Sequence, residues 1–413
     1  MNKLRYLPIG IQTFEKIRVD NAVYVDKTQF IEELTRYKCP YFLSRPRRFG
    51  KSLFLSTLRS YFEGRKDLFE GLAISKTETE WKKYPVFYFD FTGKSYETVD
   101  DVILKIGDTL SGLEKIYGKK TESSDIAIRF KNLIEAAYEK TGSQVVVLVD
   151  EYDKPLLQNV DNPEVEEKIR SILKGFYGNL KGEDQYLKFV FITGVTRFDK
   201  VSIFSDLNNL NDISLSETYS AICGISQEEL EANFAPEIEN MAERNGYTKE
   251  ECIARLKKNY DGYHFSKILN NDIYNPFSLL KAFSDLSFGS YWFSTGTPTF
   301  LTKMMLDMSF DYKSLEEGID VDSRSLEEYR LNATEPVPLL YQTGYLTIKN
   351  YEKDFDSYTI GVPNEEVKFG MYKRLLPLYL GYPIAYQNDG RKIVKVGVNY
   401  SSEEKQLTEW VIE

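Results

Sequence analysis

The sequence predicts an α/β fold, a mostly parallel sheet covered by helices, followed by a helical, winged-helix-like C-terminal region. Three observations carry that expectation. Short apolar runs at 41–43, 85–91, 145–149, 187–193 and 213–215 alternate with helical patterns such as Val99–Leu113 and Ala127–Tyr138, and strands interleaved with helices pair in parallel through crossovers. The run Val145–Val149 is uniformly apolar with four β-branched residues, as in a strand buried on both faces. Past Ser216 the strand signal stops. Glu217–Lys258 is helical in pattern, 275–330 continues with helices, and strand-like pieces return at Tyr345–Ile348 and Tyr358–Val362 around a polar turn. A chain of 413 residues has room for several cores. The expected divisions are 1–215, 216–285, 286–372 and 373–413.

The first element to justify is Pro40–Gly64, PYFLSRPRRFGKSLFLSTLRSYFEG. Tyr41–Leu43 suits a short buried strand. Leu55, Leu58 and Phe62 recur at helical spacing, and Gly64 stands at a helix stop. The loop between them enters a helix N-terminus, where unpaired N–H groups and the dipole favour phosphate. Gly50 lets the backbone curl, Lys51 reaches β/γ oxygens and the Ser52 hydroxyl is placed for Mg²⁺. Arg45, Arg47 and Arg48 add positive charge, and Phe49 and Leu53 flank the Gly-Lys-Ser triplet. The match to G-x-x-x-x-G-K-[ST] is partial, because Arg45 holds the first glycine's place.

A second triplet, Gly93-Lys94-Ser95, follows Pro85–Phe91. Its neighbours Asp90, Glu97, Asp100 and Asp101 would repel a triphosphate, whereas no carboxylate falls between Lys38 and Arg59. Thr98 with Asp101 is the pattern of a helix capping box. Gly93–Ser95 is therefore expected to be a turn.

A nucleotide site also needs an acid at the end of a second buried strand. Asp150 is placed to hold Mg²⁺ and Glu151 to orient or deprotonate water. Thr193, ending the run Phe189–Thr193, is placed to feel a γ-phosphate, and Arg197 to stabilise transition-state charge in cis or across a subunit boundary. In the leading chain, Asp26 and Gln29 are spaced as a capping box, with Asp26 or Lys27 also within reach of a nucleotide.

These residues describe a P-loop NTPase, and further motifs narrow it. SRPRRFGKS at 44–52 and VLVDEYDKP at 147–155 resemble the AAA-ATPase-like P-loop family of bacterial proteins, commonly fused to a degenerate PD-(D/E)XK nuclease-superfamily domain. YVDKT at 24–28, ITGVTRF at 192–198, YDGYHF at 260–265, NPFSLL at 275–280, YWFSTGTP at 291–298, LLYQTGYL at 339–346 and PNEEV at 363–367 agree in order. The resemblance implies ATP binding and ATP hydrolysis, and Arg45 in place of the first glycine belongs to its pattern. The nuclease core that relatives carry between Leu380 and Gly381 is missing here. Glu403-Glu404-Lys405 with Asp389 is the nearest substitute, and it reads as a polar turn that cannot hold metal ions rigidly. No nuclease activity is expected.

Composition excludes other classes. His264 is the single histidine, and Cys39, Cys223 and Cys252 are far apart, which disfavours Ser-His or Cys-His catalysis and thiolate zinc. A net charge of −10 does not suit nucleic acid over the whole surface, and the hairpin tip carries Glu352, Asp354 and Asp356. No apolar run approaches a membrane span, so a cytoplasmic protein is expected. The reading is a Mg²⁺-dependent ATPase. Its alternative is a weakly hydrolysing switch or scaffold that presents its C-terminal region to a protein or DNA partner, with room for a homo-oligomer.

Overall fold

A computed structural model describes residues 5–197, 203–205, 207–269, 271–292, 317–327 and 336–371, and the strands at 393–401 and 404–412. Two compact units divide the chain, Met1–Gly370 and Met371–Glu413.

The first unit is built on a five-stranded sheet of β1 (Tyr41–Ser44), β2 (Val86–Asp90), β3 (Val145–Asp150), β4 (Leu187–Gly194) and β5 (Asn211–Asp212), in the order β2-β3-β4-β1-β5. Every pairing is parallel. Parallel neighbours need crossovers, and helices supply those after the first three strands: α1 (Phe14–Val19) and α2 (Gln29–Arg36) precede β1, α3 (Lys51–Phe62) follows it, α4 (Val99–Tyr117) and α5 (Ile126–Thr141) follow β2, and α6 (Lys154–Leu157) and α7 (Pro163–Gly182) follow β3. The result is the mixed α/β architecture that the alternation predicts, consistent with a P-loop-like fold.

Strand alternation sends successive side chains to opposite faces, and β4 demonstrates it. Phe189 and Phe191 face α3, their rings 5.0 Å from Phe62 and 5.9 Å from Phe54. Val190 and Ile192 join the opposite core with Val147, Val149 and residues of α4, α5 and α7. There Phe130 stacks on Phe176 at 4.4 Å and Phe89 meets both edge-on. Such fully buried aromatics contribute about 1.5–3 kcal/mol each, so the sheet is fixed from both faces.

The expected capping box Thr98/Asp101 starts α4, with Lys94 paired to Asp101 at 3.2 Å, and Gly93 lies in a turn at φ 73°. Two expectations are corrected. Asp26 does not cap α2: its carboxylate accepts from Thr28 and from the Ala73 N–H, tying the YVDKT segment to the chain 47 residues on. The fifth strand is Asn211–Asp212, short of the 213–215 read from the apolar pattern, because pairing to β1 is set by Tyr41 and Phe42.

Beyond the sheet, β6 (Ile225–Ser226) and β7 (Ile273–Tyr274) pair antiparallel. Helices Gln227–Asn245, Lys249–Tyr260 and Pro276–Asp285 share a core of Leu230, Ile238, Met241, Leu256 and Phe283. The strands β8 (Ile319–Asp322), β9 (Thr347–Glu352) and β10 (Ser357–Gly361) form an antiparallel sheet ordered β8-β10-β9. A hairpin was expected here with strands at Tyr345–Ile348 and Tyr358–Val362, and β9 instead runs on to Glu352, so that the turn is shorter. β8 was not expected, since Ile-Asp-Val-Asp is too short and too acidic to announce a strand.

This region carries buried titratable groups. Asp261 is 1% exposed and burial pushes its carboxyl up to about 7 from 3.8. Lys257 at 3.9 Å, Asp272, His264 and Lys349 surround it. Glu366 is likewise pushed up to about 7 by burial. A folded-state pKa above the unfolded value stabilises below the unfolded pKa and loses that contribution as pH rises through the folded one. Unfolding free energy is therefore expected to fall between about pH 4 and pH 7 through these groups. Asp261→Asn should flatten that fall by on the order of 1–2 kcal/mol in denaturant titrations run across pH.

In the second unit, β11 (Ile393–Ser401) and β12 (Glu404–Ile412) form an antiparallel hairpin in register from Ile393↔Ile412 to Ser401↔Glu404. This corrects the reading of the tail, because Glu404 and Lys405 open a strand where a polar turn was expected. Asp389 and Glu403 lie outside the described residues.

Candidate functional site

The loop leaves β1 at Ser44 and enters α3 at Lys51. Arg48 at φ 69° and Gly50 at φ 97° both take the left-handed conformation. Glycine reaches it without strain, and a Cβ added at Gly50 would meet nothing within 4 Å. The glycine thus serves the turn and leaves open space above it. Gly50 is the N-cap of α3, whose first turn holds no acid and receives no side-chain cap. Those N–H groups remain for an anion.

Lys51 is 6% exposed and its Nζ donates to the carbonyls of Arg45 at 2.8 Å and Pro46 at 3.0 Å. Burial pulls its pKa below the usual lysine value, opposed by the charges of Glu151, Asp150 and Asp153. The loop lysine and the acids of β3 therefore share one electrostatic environment.

β4 lies between the loop strand and the acid strand, pairing Leu43 with Thr193 on one side and Val149 with Ile192 on the other. Thr193 Oγ1 donates to Asp150 Oδ1 at 2.8 Å. Asp150 is 1% exposed and also accepts from the Tyr88 hydroxyl at 3.4 Å. Glu151 sits at φ 51°, a conformation that costs a non-glycine residue on the order of 1–3 kcal/mol. Burial raises its pKa while Lys51 lowers it. A strained, desolvated carboxylate next to a buried one suits a base beside a metal-holding acid.

The arginines are not equivalent. Arg45 is fully buried, donates to the carbonyls of Ser44, Ser214 and Tyr219, stacks at 4.2 Å on Phe265, and is pushed down to about 10 by burial. Arg48 is exposed and lies 3.8 Å over the Phe277 ring. Arg47 is exposed, and its carbonyl accepts from the Trp292 indole. Arg197 is buried and ion-paired with Asp212 at 2.6 Å. Phe49 is buried edge-on against Tyr263 and Phe265. Ser52 and Leu53 are partly exposed in the first turn of α3.

Three features escaped the sequence reading. The first is Asp153, fully buried, which accepts from Val195 N, Thr196 N and Thr196 Oγ1. With Tyr152 N donating to Thr193 O and the Tyr152 hydroxyl to Thr196 O, it stitches the turn after β3 to the exit of β4. Its signal was present as the third acid of Asp-Glu-Tyr-Asp at 150–153. The approach is so close that a Cβ on Gly194 would lie 2.5 Å from the Tyr152 ring. Gly194→Ala should destabilise by about 1–3 kcal/mol in urea unfolding.

The second is a cavity of about 100 Å³ beside Gly50, walled by Val23, Val25, Leu53, Phe54 and Ile222 and predominantly apolar. The third is the pairing of Lys27, also at its wall, with Glu229 at 2.6 Å. Lys27 thus lines the cavity from the YVDKT motif, and Asp26 does not. Residues distant in sequence build this cavity, and no local pattern marks it.

Among the described residues no cluster of three His, Cys, Asp or Glu could hold a metal. A Mg²⁺ shared with phosphates needs only one or two protein oxygens, fewer than such a cluster supplies. Among the described residues no helix is long and apolar enough to cross a membrane.

Residues 8–204 match the family model described as Predicted AAA-ATPase. The chain is also 40% identical over 380 residues to a protein of Azotobacter chroococcum mcd 1 described as "Uncharacterized protein in vnfD 5'region", covering 91% of this chain and 71% of that one. With the matched stretch spanning the loop, both acids and Thr193, and the relative extending the likeness across most of the chain, this protein belongs to the predicted AAA-ATPase-like family.

Proposed function

We propose that the protein binds ATP with Mg²⁺ in the loop Arg45–Leu53 and hydrolyses it. The observation that carries this is the meeting of Lys51, Asp150, Glu151 and Thr193 at the C-terminal ends of adjacent parallel strands, at the mouth of a helix N-terminus. Ligands of parallel sheets sit outside the carboxyl ends of the strands. The N–H groups around Gly50, Lys51 and Ser52 cradle the phosphates. Arg47 and Arg48 supply charge at the exposed side, and Arg45 shapes the loop from beneath. The apolar cavity beside Gly50 and Leu53 takes the base, with Phe49 bracing its inner wall. Bound Mg²⁺, held by Ser52 and Asp150, would neutralise developing phosphate charge. Glu151 accepts the proton of the attacking water, and Thr193 fixes Asp150 and reports on the γ-phosphate.

One observation favours the second reading, a nucleotide switch of low turnover. The Arg197 guanidinium is engaged by Asp212, so it must release that partner to stabilise a transition state. Either way, nucleotide exchange would act on the C-terminal region, and through it on a protein or DNA partner.

The test is phosphate release with Mg²⁺ and ATP, with and without DNA, next to the Glu151→Gln variant. Release well above that variant supports the ATPase. ATP binding with release no greater than the variant selects the switch, and absence of binding removes both.

A further inference from the structure

The sheet's catalytic edge is touched by a segment far away in sequence. The helix Val337–Thr343 is buried along its length, and Gln342 on it is 4% exposed. Its Oε1 accepts from the Arg197 backbone N–H at 2.9 Å, and its Nε2 donates to Leu326 O at 3.2 Å. Arg197 ends the exit of β4, three residues past Gly194, on the stretch that Asp153 and Tyr152 bind to the acid turn. Tyr341 and Gln342 also border a small space of about 10 Å³ with Ser44, Arg45 and Arg197.

The same segment reaches the phosphate loop. Gly344, at φ 90°, closes the helix so near Pro46 that a Cβ there would be 2.7 Å from the Pro46 Cβ. Tyr345 meets Trp292 edge-on at 5.0 Å, and the Trp292 indole donates to Arg47 O. Residues 341–345 therefore contact both parts that must answer to a γ-phosphate, the loop through Pro46 and the β4 exit through Arg197. Two rigid contacts from one short helix give a lever of the kind that transmits small shifts.

We propose that Gln342 is a positioning residue for turnover: by holding the Arg197 backbone it sets the β4 exit relative to Asp150 and Glu151, making hydrolysis depend on the docked C-terminal helix. The inference rests on the ATPase reading above. It assigns Gln342 no contact with nucleotide. Its amide is suited to the task because it accepts and donates at once within a buried site, fixing Arg197 against Leu326 of another helix.

The experiment compares Gln342→Leu, Gln342→Glu and Leu340→Ala in the full chain. Leucine fills the space without accepting a hydrogen bond. Glutamate keeps the acceptor for Arg197. Leu340, fully buried on the same helix, controls for loss of packing. The expected result is a kcat about tenfold lower or worse in Gln342→Leu, since misplacing a catalytic element by about 1 Å can cost on the order of a hundredfold. Affinity for a non-hydrolysable ATP analogue should stay within about twofold. Gln342→Glu should recover kcat to within about threefold of the parent. Leu340→Ala should lower the melting temperature at least as much as Gln342→Leu while leaving kcat nearer the parent. Unchanged kcat in Gln342→Leu, absence of rescue by glutamate, or an equal kcat loss in Leu340→Ala overturns the inference alone. A parent with no turnover removes the ATPase reading and this inference with it.

Discussion

Replacing Lys51 with alanine is expected to abolish tight ATP binding while the protein stays folded. Charge-assisted hydrogen bonds from an ammonium to phosphate are worth about 1.5–3 kcal/mol each. Two of them amount to a dissociation constant higher by roughly two to four decades. The fold should survive, because Lys51 Nζ is desolvated and held by two carbonyls of its own loop. Removing a buried cation relieves that desolvation even as it frees those oxygens. Calorimetric titration with ATP and Mg²⁺, beside a thermal melt, checks both halves. Binding equal to the parent's would remove the loop from the phosphate site.

Replacing Glu151 with glutamine is expected to do the opposite, keeping ATP bound and stopping its turnover. The amide preserves shape at a left-handed backbone position, so the site should remain assembled, yet it cannot take a proton. General-base catalysis typically contributes on the order of 10²–10⁴-fold, and single-turnover phosphate release should fall by that much. In the parent, burial holds the Glu151 carboxyl above the ordinary glutamate value. Activity should therefore fade on acidification at a higher pH than an exposed glutamate would allow. The lost group is the ionised base, so the sign is a fall as pH drops.

What the sequence made legible was whatever is local. Parallel strands announce themselves as unbroken apolar runs, so β3 and β4 were readable from Val145–Val149 and Phe189–Thr193, and α4 and α5, which precede β3, from the periodicity of Val99–Leu113 and Ala127–Tyr138. The strand-to-helix junction at Gly50, Lys51 and Ser52 was readable because an apolar run precedes it and Leu55, Leu58 and Phe62 recur at helical spacing after it. What stayed hidden is built from contacts across the chain. Asp153 bonds to Val195 and Thr196 more than forty residues later. Gln342 meets Arg197 across 145 residues, and the apolar cavity gathers walls from residues near 25, 53 and 223. Arg45 and Arg48 look alike in sequence. Burial against three carbonyls and Phe265 makes Arg45 part of the loop's frame, while Arg48 stays at the surface against Phe277. The acids of β8 and the polar start of β12 concealed strands for a related reason, because pairing partners rather than their own side chains define them.

The central claim is that one site joins the Arg45–Leu53 loop to the acids at the end of β3. A crystal structure with a non-hydrolysable ATP analogue and Mg²⁺ tests it most directly. The account predicts phosphates over Gly50–Ser52 at the start of α3, the metal bound by the Ser52 hydroxyl and Asp150, Glu151 facing the γ-phosphate, and the base in the apolar cavity beside Leu53. Phosphates bound elsewhere, or a metal that touches neither Ser52 nor Asp150, would contradict it.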